Sequence, residues 1–190
     1  MTTKPLLLTM DRIATPLGEG LLGVDPQGVL RVFEWIDHEA RTLQLLRRQY
    51  PDVELQSGAA PQATRRAFDA YFAGELTALD GVATQTGGTE FQRRVWTALR
   101  TIPVGTTLSY QALATRIDSP RAVRAVGLAN GKNLIGLVIP CHRVIGSDGT
   151  LTGYAGGLAR KRWLLQHEGA VFRTTEKPQE PRDLQTLLAI

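Results

Sequence analysis

The chain has 190 residues, of which 43% are hydrophobic and 21% charged. That mixture excludes wholesale disorder and fits one large domain or two small ones. The net charge of +4 hides an asymmetry: residues 1–88 carry 8 basic and 11 acidic side chains (−3), residues 89–172 carry 11 and 4 (+7), and residues 173–190 carry 3 of each. Clustered positive charge makes a polyanion, nucleic acid first, the partner class to test.

Cys141 stands alone. One cysteine excludes an intramolecular disulfide framework and any zinc site with two or more Cys ligands, and it fits a reducing compartment. Residues 1–10 hold one lysine and a single apolar run, Leu6–Leu8, too short for a signal sequence or membrane span. The expectation is a soluble cytoplasmic protein.

The first half reads as a small α/β unit. Residues 6–15, 20–24 and 28–36 are rich in Leu, Val, Ile and Phe, punctuated by Gly18, Gly20 and Asp25-Pro26-Gln27-Gly28. They predict two or three antiparallel strands. A helix follows over 38–49, with Leu43, Leu46 and Tyr50 on one face. Another runs over 61–72, with proline in its first turn and Ala67, Phe68, Tyr71 and Phe72 as its apolar face. Residues 74–88 are polar and glycine-containing, and read as a linker.

The second half opens on Thr89-Glu90-Phe91-Gln92, a capping box, with Phe91, Val95, Trp96, Leu99 and Ile102 at helical spacing until Pro103 and Gly105. A short helix is expected over 109–117, and a second from Ser119-Pro120 to Gly131, with Ser119 as its cap. Together they suggest a helix-turn-helix. The run 134–140 looks buried, Ser147-Asp148-Gly149 is a turn, and Gly153-Tyr154-Ala155-Gly156-Gly157 is a glycine-rich loop. A last helix covers 158–168. Residues 173–182 read as a polar, mobile tail, and 183–190 as a small apolar turn of helix.

Three constellations could carry chemistry. Cys141 is followed directly by His142 and Arg143; cations near a thiol favour the reactive thiolate, although a lone cysteine after an apolar run is more often a buried structural thiol. If the segment is a strand, His142 faces away from the sulfur and needs a turn or a bridging water. Glu168 sits at a helix C-terminus, where the macrodipole disfavours an anion; either solvent accommodates it or a histidine partner does, giving Cys–His–Glu logic. Arg160, Lys161 and Arg162 stand at the start of that helix, where cations also oppose the dipole; an external phosphate would explain them, as would simple solvation. Arg121 and Arg124 share a face of the candidate recognition helix, with small residues such as Ala125 between them. So few base-reading side chains imply backbone or shape binding.

Residues 89–169 resemble the catalytic domain of the methylated-DNA–protein-cysteine methyltransferases, the O6-alkylguanine-DNA alkyltransferases. The resemblance rests on Phe91-Gln92, Val95-Trp96, Ile102-Pro103-x-Gly105, Ser109-Tyr110, Arg124-Ala125-Val126-Gly127, Asn130 and Asn133. It continues through Pro140-Cys141-His142-Arg143-Val144-Ile145-Gly146, Gly153-Tyr154-x-Gly156-Gly157 and Glu168-Gly169. Ile13 to Gly18 and Tyr71-Phe72-x-Gly74 look like the family's smaller α/β domain.

The resemblance implies an α/β (α+β) protein. A small N-terminal α/β domain with a short antiparallel sheet would occupy residues 1–88, including a linker from about 74. A mostly helical catalytic domain with a helix-turn-helix would occupy 89–172, and a tail 173–190. It also implies direct, irreversible transfer of an alkyl group from O6-alkylguanine, and from O4-alkylthymine, in double-stranded DNA after minor-groove binding and base flipping. Cys141 would be the nucleophile, His142 would take its proton through a water, and Glu168 would orient His142. Asn133 would brace the turn, Arg124 would fill the gap left by the flipped base, and Tyr110 would meet the target phosphate and assist protonation of the departing guanine. Val144, Tyr154, Ala155, Gly156, Gly136 and Trp96 would form the substrate pocket, with the Val144 carbonyl reading the guanine amine. Arg121, Ala125 and Arg160, Lys161 and Arg162 would join the DNA contacts.

No cofactor or metal is implied: the zinc site of some relatives needs cysteines that this chain lacks. The protein would act as a monomer, away from membranes. Gly136, where some relatives carry proline, predicts a roomier pocket, and Ala155 one donor fewer near the guanine oxygen. Two other readings compete: a non-catalytic damage binder, against which Cys141 argues, and a Cys–His hydrolase, which leaves the basic helix unexplained.

Overall fold

The computed structural model describes residues 5–174. The expected tail helix at 183–190, and most of the expected mobile tail, lie outside the described residues. Among the described residues no helix is long and apolar enough to cross a membrane.

The N-terminal half is built on a four-stranded sheet of order β3-β2-β1-β4. Strands β1 (Leu6–Thr15), β2 (Gly18–Val24) and β3 (Leu30–Trp35) form an antiparallel meander. Asp25 closes the β2–β3 turn: its carboxylate accepts from the amides of Gln27 and Val29, both at 3.0 Å, and is gripped by Arg31. The fourth strand, β4 (Val53–Ser57), pairs parallel with β1. The sequence reading contains no such strand, because only Val53 and Leu55 are apolar there and Leu55 remains exposed on the edge.

Strand alternation sends side chains to both faces of the sheet. Leu8 and Val32 meet Leu45 and Leu46 of α1 (Glu39–Gln49) on one face. Leu22, Phe33 and Trp35 meet Phe68 and Tyr71 of α2 (Gln62–Phe72) on the other. The buried row of α1 is Thr42, Leu45 and Leu46, so Leu43 sits at its margin. The cluster containing Phe33 continues through Val95, Leu99, Val126, Ile139 and Leu164, so one apolar core joins the two halves. Each such aliphatic or aromatic side chain contributes roughly 1.5–3 kcal/mol on burial. Residues 74–88 form turns, but Leu79 is buried and the Leu30 amide donates to the Ala83 carbonyl at 2.9 Å. The expected linker is therefore pinned to β3.

The second half starts at α3 (Glu90–Arg100), and its capping box forms as the sequence predicts: Gln92 N donates to Thr89 Oγ1, and Thr89 N to Gln92 Oε1 at 2.9 Å. A two-residue strand, β5 (Leu108–Ser109), leads into α4 (Tyr110–Arg116), capped by Ser109. It pairs with β6 (Val144–Ile145). Helix α5 covers Val123–Asn130 and α6 covers Leu158–His167.

The expected start of α5 at Ser119-Pro120 is corrected. Ala122 N donates to Ser119 O at 2.9 Å, closing a turn, and Ser119 Oγ turns back to Ile117 O instead of capping a helix. Arg121 thus lies on this turn and does not share a helix face with Arg124.

Candidate active site

The apolar run before Cys141 is fully buried, as expected, but it is a looped segment clamped from two sides. On one side, Phe33 N donates to Leu134 O (2.8 Å) and Gly136 N to Phe33 O (2.9 Å), fastening it to β3. On the other, Asn133 spans it: Ile135 N donates to Asn133 Oδ1 (3.0 Å), and Asn133 Nδ2 donates to Ile139 O (2.9 Å). Between these bonds Leu137 has φ +68, a left-handed conformation that costs an L-residue roughly 1–2 kcal/mol. The clamps hold it.

The chain then makes one turn of 3₁₀ helix, Cys141–Arg143. The segment is therefore not a strand, and Cys141, His142 and Arg143 are all buried, with His142 0% exposed. Behind them lies Glu168, just past α6, where Gly169 takes φ +71 to end the helix. Glu168 Oε1 accepts from His142 Nε2 (3.0 Å), Arg143 Nη2 (2.9 Å) and Tyr71 Oη (2.8 Å), and Oε2 accepts from Arg143 Nε (2.8 Å). Arg143 also donates to Ile102 O at 2.6 Å. An acid at an unfavourable helix end thus gains a bidentate guanidinium and two further donors. Burial alone would raise its pKa; the His142 and Arg143 donors overcome that and hold the carboxyl far below the usual range.

His142 is pushed below the ordinary imidazole value by burial, against the pull of Glu168, so the ring is neutral at neutral pH. With Nε2–H assigned to Glu168, the other nitrogen, Nδ1, is an acceptor with no hydrogen-bond partner among the described residues. Burial pushes the Cys141 thiol up to about 11; the Asn133 amide and the Lys161 charge pull it back, while Glu34 opposes them.

Cys141 opens into a cavity of about 290 Å³ lined by Tyr110 of α4, Gly127 and Asn130 of α5, Tyr154 and Ala155 of the glycine-rich loop, and Arg41 of α1. Asn130 Nδ2 donates to Cys141 O at 3.4 Å, and Tyr110 Oη to Gly153 O at 3.4 Å. Burial also raises the Tyr110 and Tyr154 phenols above their ordinary value. The outward face of α5 carries Arg124 and Ala125, both exposed, with exposed Arg121 on the preceding turn.

Several expected site residues fall elsewhere. Lys161 is 0% exposed, and its ammonium donates to Val144 O (2.6 Å) and Thr152 O (2.8 Å), so it cannot face a phosphate. Arg160 turns to the N-terminal half: Nε donates to Leu17 O (3.0 Å), Nη1 pairs with Asp37 (2.8 Å), and the guanidinium lies 4.6 Å from the Trp35 ring. Arg162 is half-buried. Trp96 is a core residue, its Nε1 donating to Ala129 O at 2.9 Å behind α5. A Cβ at Gly136 would point at Phe33 O, 3.3 Å away, so the room left by that glycine faces the sheet and does not widen the cavity. Gly156 packs under Trp35. The Val144 carbonyl already holds Lys161.

The sequence reading also misses contributors. Tyr71 belongs to the predicted apolar face of α2 and to the Tyr71-Phe72-x-Gly74 motif, but neither signals its bond to Glu168; the cue is that a buried tyrosine hydroxyl requires a partner. Glu34, an acid within an apolar strand, is buried, and burial raises it to about 7. Arg41 bridges the halves, donating to the Gly131 carbonyl at the end of α5, with Glu34 3.9 Å away.

Comparison with known proteins defines the class first. Residues 90–170 match the family described as 6-O-methylguanine DNA methyltransferase, DNA binding domain. The methylated-DNA–protein-cysteine methyltransferase of Shigella flexneri is 49% identical over 166 residues, 86% of this chain and 97% of that protein. The protein of the same name from Methanosarcina acetivorans is 42% identical over 156 residues, 82% and 95% of the two chains. The crystal structure of Mycobacterium tuberculosis OGT in complex with DNA superposes with a TM-score of 0.73 at 41% identity, covering 86% of this chain and 93% of that one. The chain belongs to the methylated-DNA–protein-cysteine methyltransferases, an enzyme family.

Proposed function

We propose that the protein repairs duplex DNA by moving the alkyl group of O6-alkylguanine, and of O4-alkylthymine, irreversibly onto Cys141, once per molecule. The observation that carries this reading is a buried thiol in a small cavity, with α4 and α5 as one wall and the His142–Glu168–Arg143 network behind it.

His142 Nδ1 takes the thiol proton through a bridging water, and Glu168 keeps the ring in the tautomer that leaves Nδ1 bare. The sulfur pair forms the S–C bond to the alkyl carbon, and the C–O6 pair leaves with the base. The proton lost by sulfur is restored to the guanine ring, assisted by Tyr110. The thioether is not hydrolysed. Helix α5 enters the minor groove, where exposed Ala125 lets the backbone approach, Arg124 fills the space of the flipped base and Arg121 meets phosphate. Tyr154 and Ala155 line the base pocket, and Asn133 holds the strained turn that presents the sulfur. Residues 89–172 carry the chemistry and the DNA contacts, residues 1–88 support them, and the reading places the protein in the cytoplasm as a monomer.

Intact mass after incubation with an O6-methylguanine duplex tests the proposal. One methyl on the wild type and none on Cys141→Ala supports it. Binding without transfer supports a damage-binding protein, and repeated turnover of an ester or peptide supports a hydrolase.

A further inference from the structure

Trp35 ends β3 and is buried, but its neighbours come from both halves of the chain. Phe33 meets its ring edge-on, with centroids 5.4 Å apart. Gly156 of the glycine-rich loop lies against its pyrrole edge: a Cβ there would stand 2.5 Å from Nε1 and 2.6 Å from Cδ1, so only glycine lets the loop backbone come this close. The same Cβ would meet Tyr154 Cε1 at 2.7 Å, so indole and phenol converge on one glycine. Arg160 completes the contact. Its guanidinium lies 4.6 Å from the Trp35 ring centroid, a cation–π arrangement, and its Nη1 donates to Gly156 O at 3.2 Å. Bonds to Leu17 O (3.0 Å) and Asp37 Oδ2 (2.8 Å) hold that guanidinium to the N-terminal half. Burial raises the Tyr154 phenol, and the Trp35 indole acts against that as a hydrogen-bond donor to its oxygen.

We propose that Trp35 is a positioning residue for the substrate base: with Arg160 stacked on it, the indole seats Gly156 and fixes the Tyr154 ring as the wall against which the purine packs. The role rests on the reading of this cavity as the alkylguanine pocket. Tyr154 and Ala155 line the cavity, whereas Trp35 and Arg160 do not, so the indole acts through Tyr154. A loop with three glycines in five residues, one of them at φ +89, has too much conformational freedom to hold an aromatic ring by itself. The contacts from β3 supply what the loop lacks. The groups that act at the sulfur are held by other bonds, His142 and Arg143 by Glu168 and the preceding run by Asn133. Trp35 therefore governs how well the base is bound and leaves the displacement at sulfur alone.

The test is single-turnover alkylation by free O6-benzylguanine at increasing concentration, for wild type, Trp35→Phe, Tyr154→Phe and the double variant, each checked for folding by thermal melt. Trp35→Phe keeps an aromatic ring and removes the N–H donor. It is expected to raise the half-saturating concentration about fivefold, as loss of one buried hydrogen bond implies, and to leave the limiting rate and its pH profile as in wild type. Tyr154→Phe should do the same, and the double variant should be little worse than Tyr154→Phe, because the indole then has no hydroxyl to act on. Phe68→Leu, which thins the same core without touching the loop, controls for lost stability and should keep the wild-type half-saturating concentration. A fall in the limiting rate with unchanged half-saturation overturns the proposal, as do fully additive losses in the double variant or an equal effect of Phe68→Leu. If Trp35→Phe does not fold, the ¹⁵N–¹H resonance of the Trp35 indole in wild type and Tyr154→Phe decides: a shift supports the contact, and an unchanged resonance refutes it. A wild type inert to benzylguanine would instead defeat the reading of Cys141, and the indole resonance would then decide the role of Trp35.

Discussion

Tyr71, on α2 of the N-terminal half, donates its hydroxyl at 2.8 Å to Glu168 Oε1, the same oxygen that receives His142 Nε2. The N-terminal half thus supplies part of the buttress behind the histidine. Glu168 retains three donors when the hydroxyl is removed, so Tyr71→Phe is expected to cost about 1 kcal/mol in urea denaturation. Transfer should fall only a few-fold. Glu168→Gln leaves Arg143 buried without its anion and should cost about 3–5 kcal/mol. Equal losses in the two variants would contradict this ordering.

Arg124 is exposed on α5 and makes no contribution to the cavity lining. Arg124→Ala is expected to slow repair of an O6-methylguanine duplex by on the order of a hundredfold, ~2.7 kcal/mol of transition-state stabilisation. Reaction with free benzylguanine should be unchanged. Single-turnover rates with both substrates check this, and equal losses would refute a role in base flipping.

Two buried acids give opposite pH dependences. Glu168 is held below its ordinary value of 4.5, so the stability it contributes is complete above that pH and is lost as the pH falls below it. Glu34 is raised to about 7, so the folded state retains a proton that the unfolded chain releases, and stability falls as the pH rises from about 4.5 through 7. Glu34→Gln is therefore expected to raise the Tm at pH 8 and to leave it little changed at pH 5. A gain of the same size at both values would show that Glu34 does not titrate in that window.

Gly156 sits where a Cβ would come within 2.5 Å of Trp35 Nε1 and 2.7 Å of Tyr154 Cε1. Gly156→Ala forces either the indole or the pocket-lining tyrosine to move. Overpacking of this kind costs typically 1–3 kcal/mol. The expected result is a lowered Tm together with a slower reaction with benzylguanine, because Tyr154 lines the cavity. A stable variant of wild-type rate would show that Trp35 gives way without cost.

The legible parts of this protein are those whose signals are local. The capping box at Thr89–Gln92 starts α3 where the residues predict it, and of the two alternatives that the placement of Glu168 leaves open, solvent or a histidine partner, the structure has the partner, His142. The family motif brought Cys141, Tyr110, Tyr154 and Ala155 to one cavity. What the sequence concealed depends on distant neighbours. β4 has too few apolar residues to announce itself, because β1 supplies its pairing. Ser119 has the composition of a helix cap, yet its hydroxyl is taken by Ile117 O. Arg160 and Lys161 are adjacent in a basic run but go to opposite environments, one to Asp37 and Trp35 at the surface of the N-terminal half, the other to two carbonyls in the interior. Charge counting cannot separate them; only the packing of α6 does.

The central claim is that Cys141 accepts one alkyl group and keeps it. The direct measurement is a titration of the protein with duplex DNA carrying isotopically labelled O6-methylguanine, followed by peptide mapping of the label. The account predicts a plateau at one methyl per chain, all of it on the peptide containing Cys141, with no further demethylation when fresh duplex is added. Label on another residue, or repair that continues past one equivalent, would contradict it.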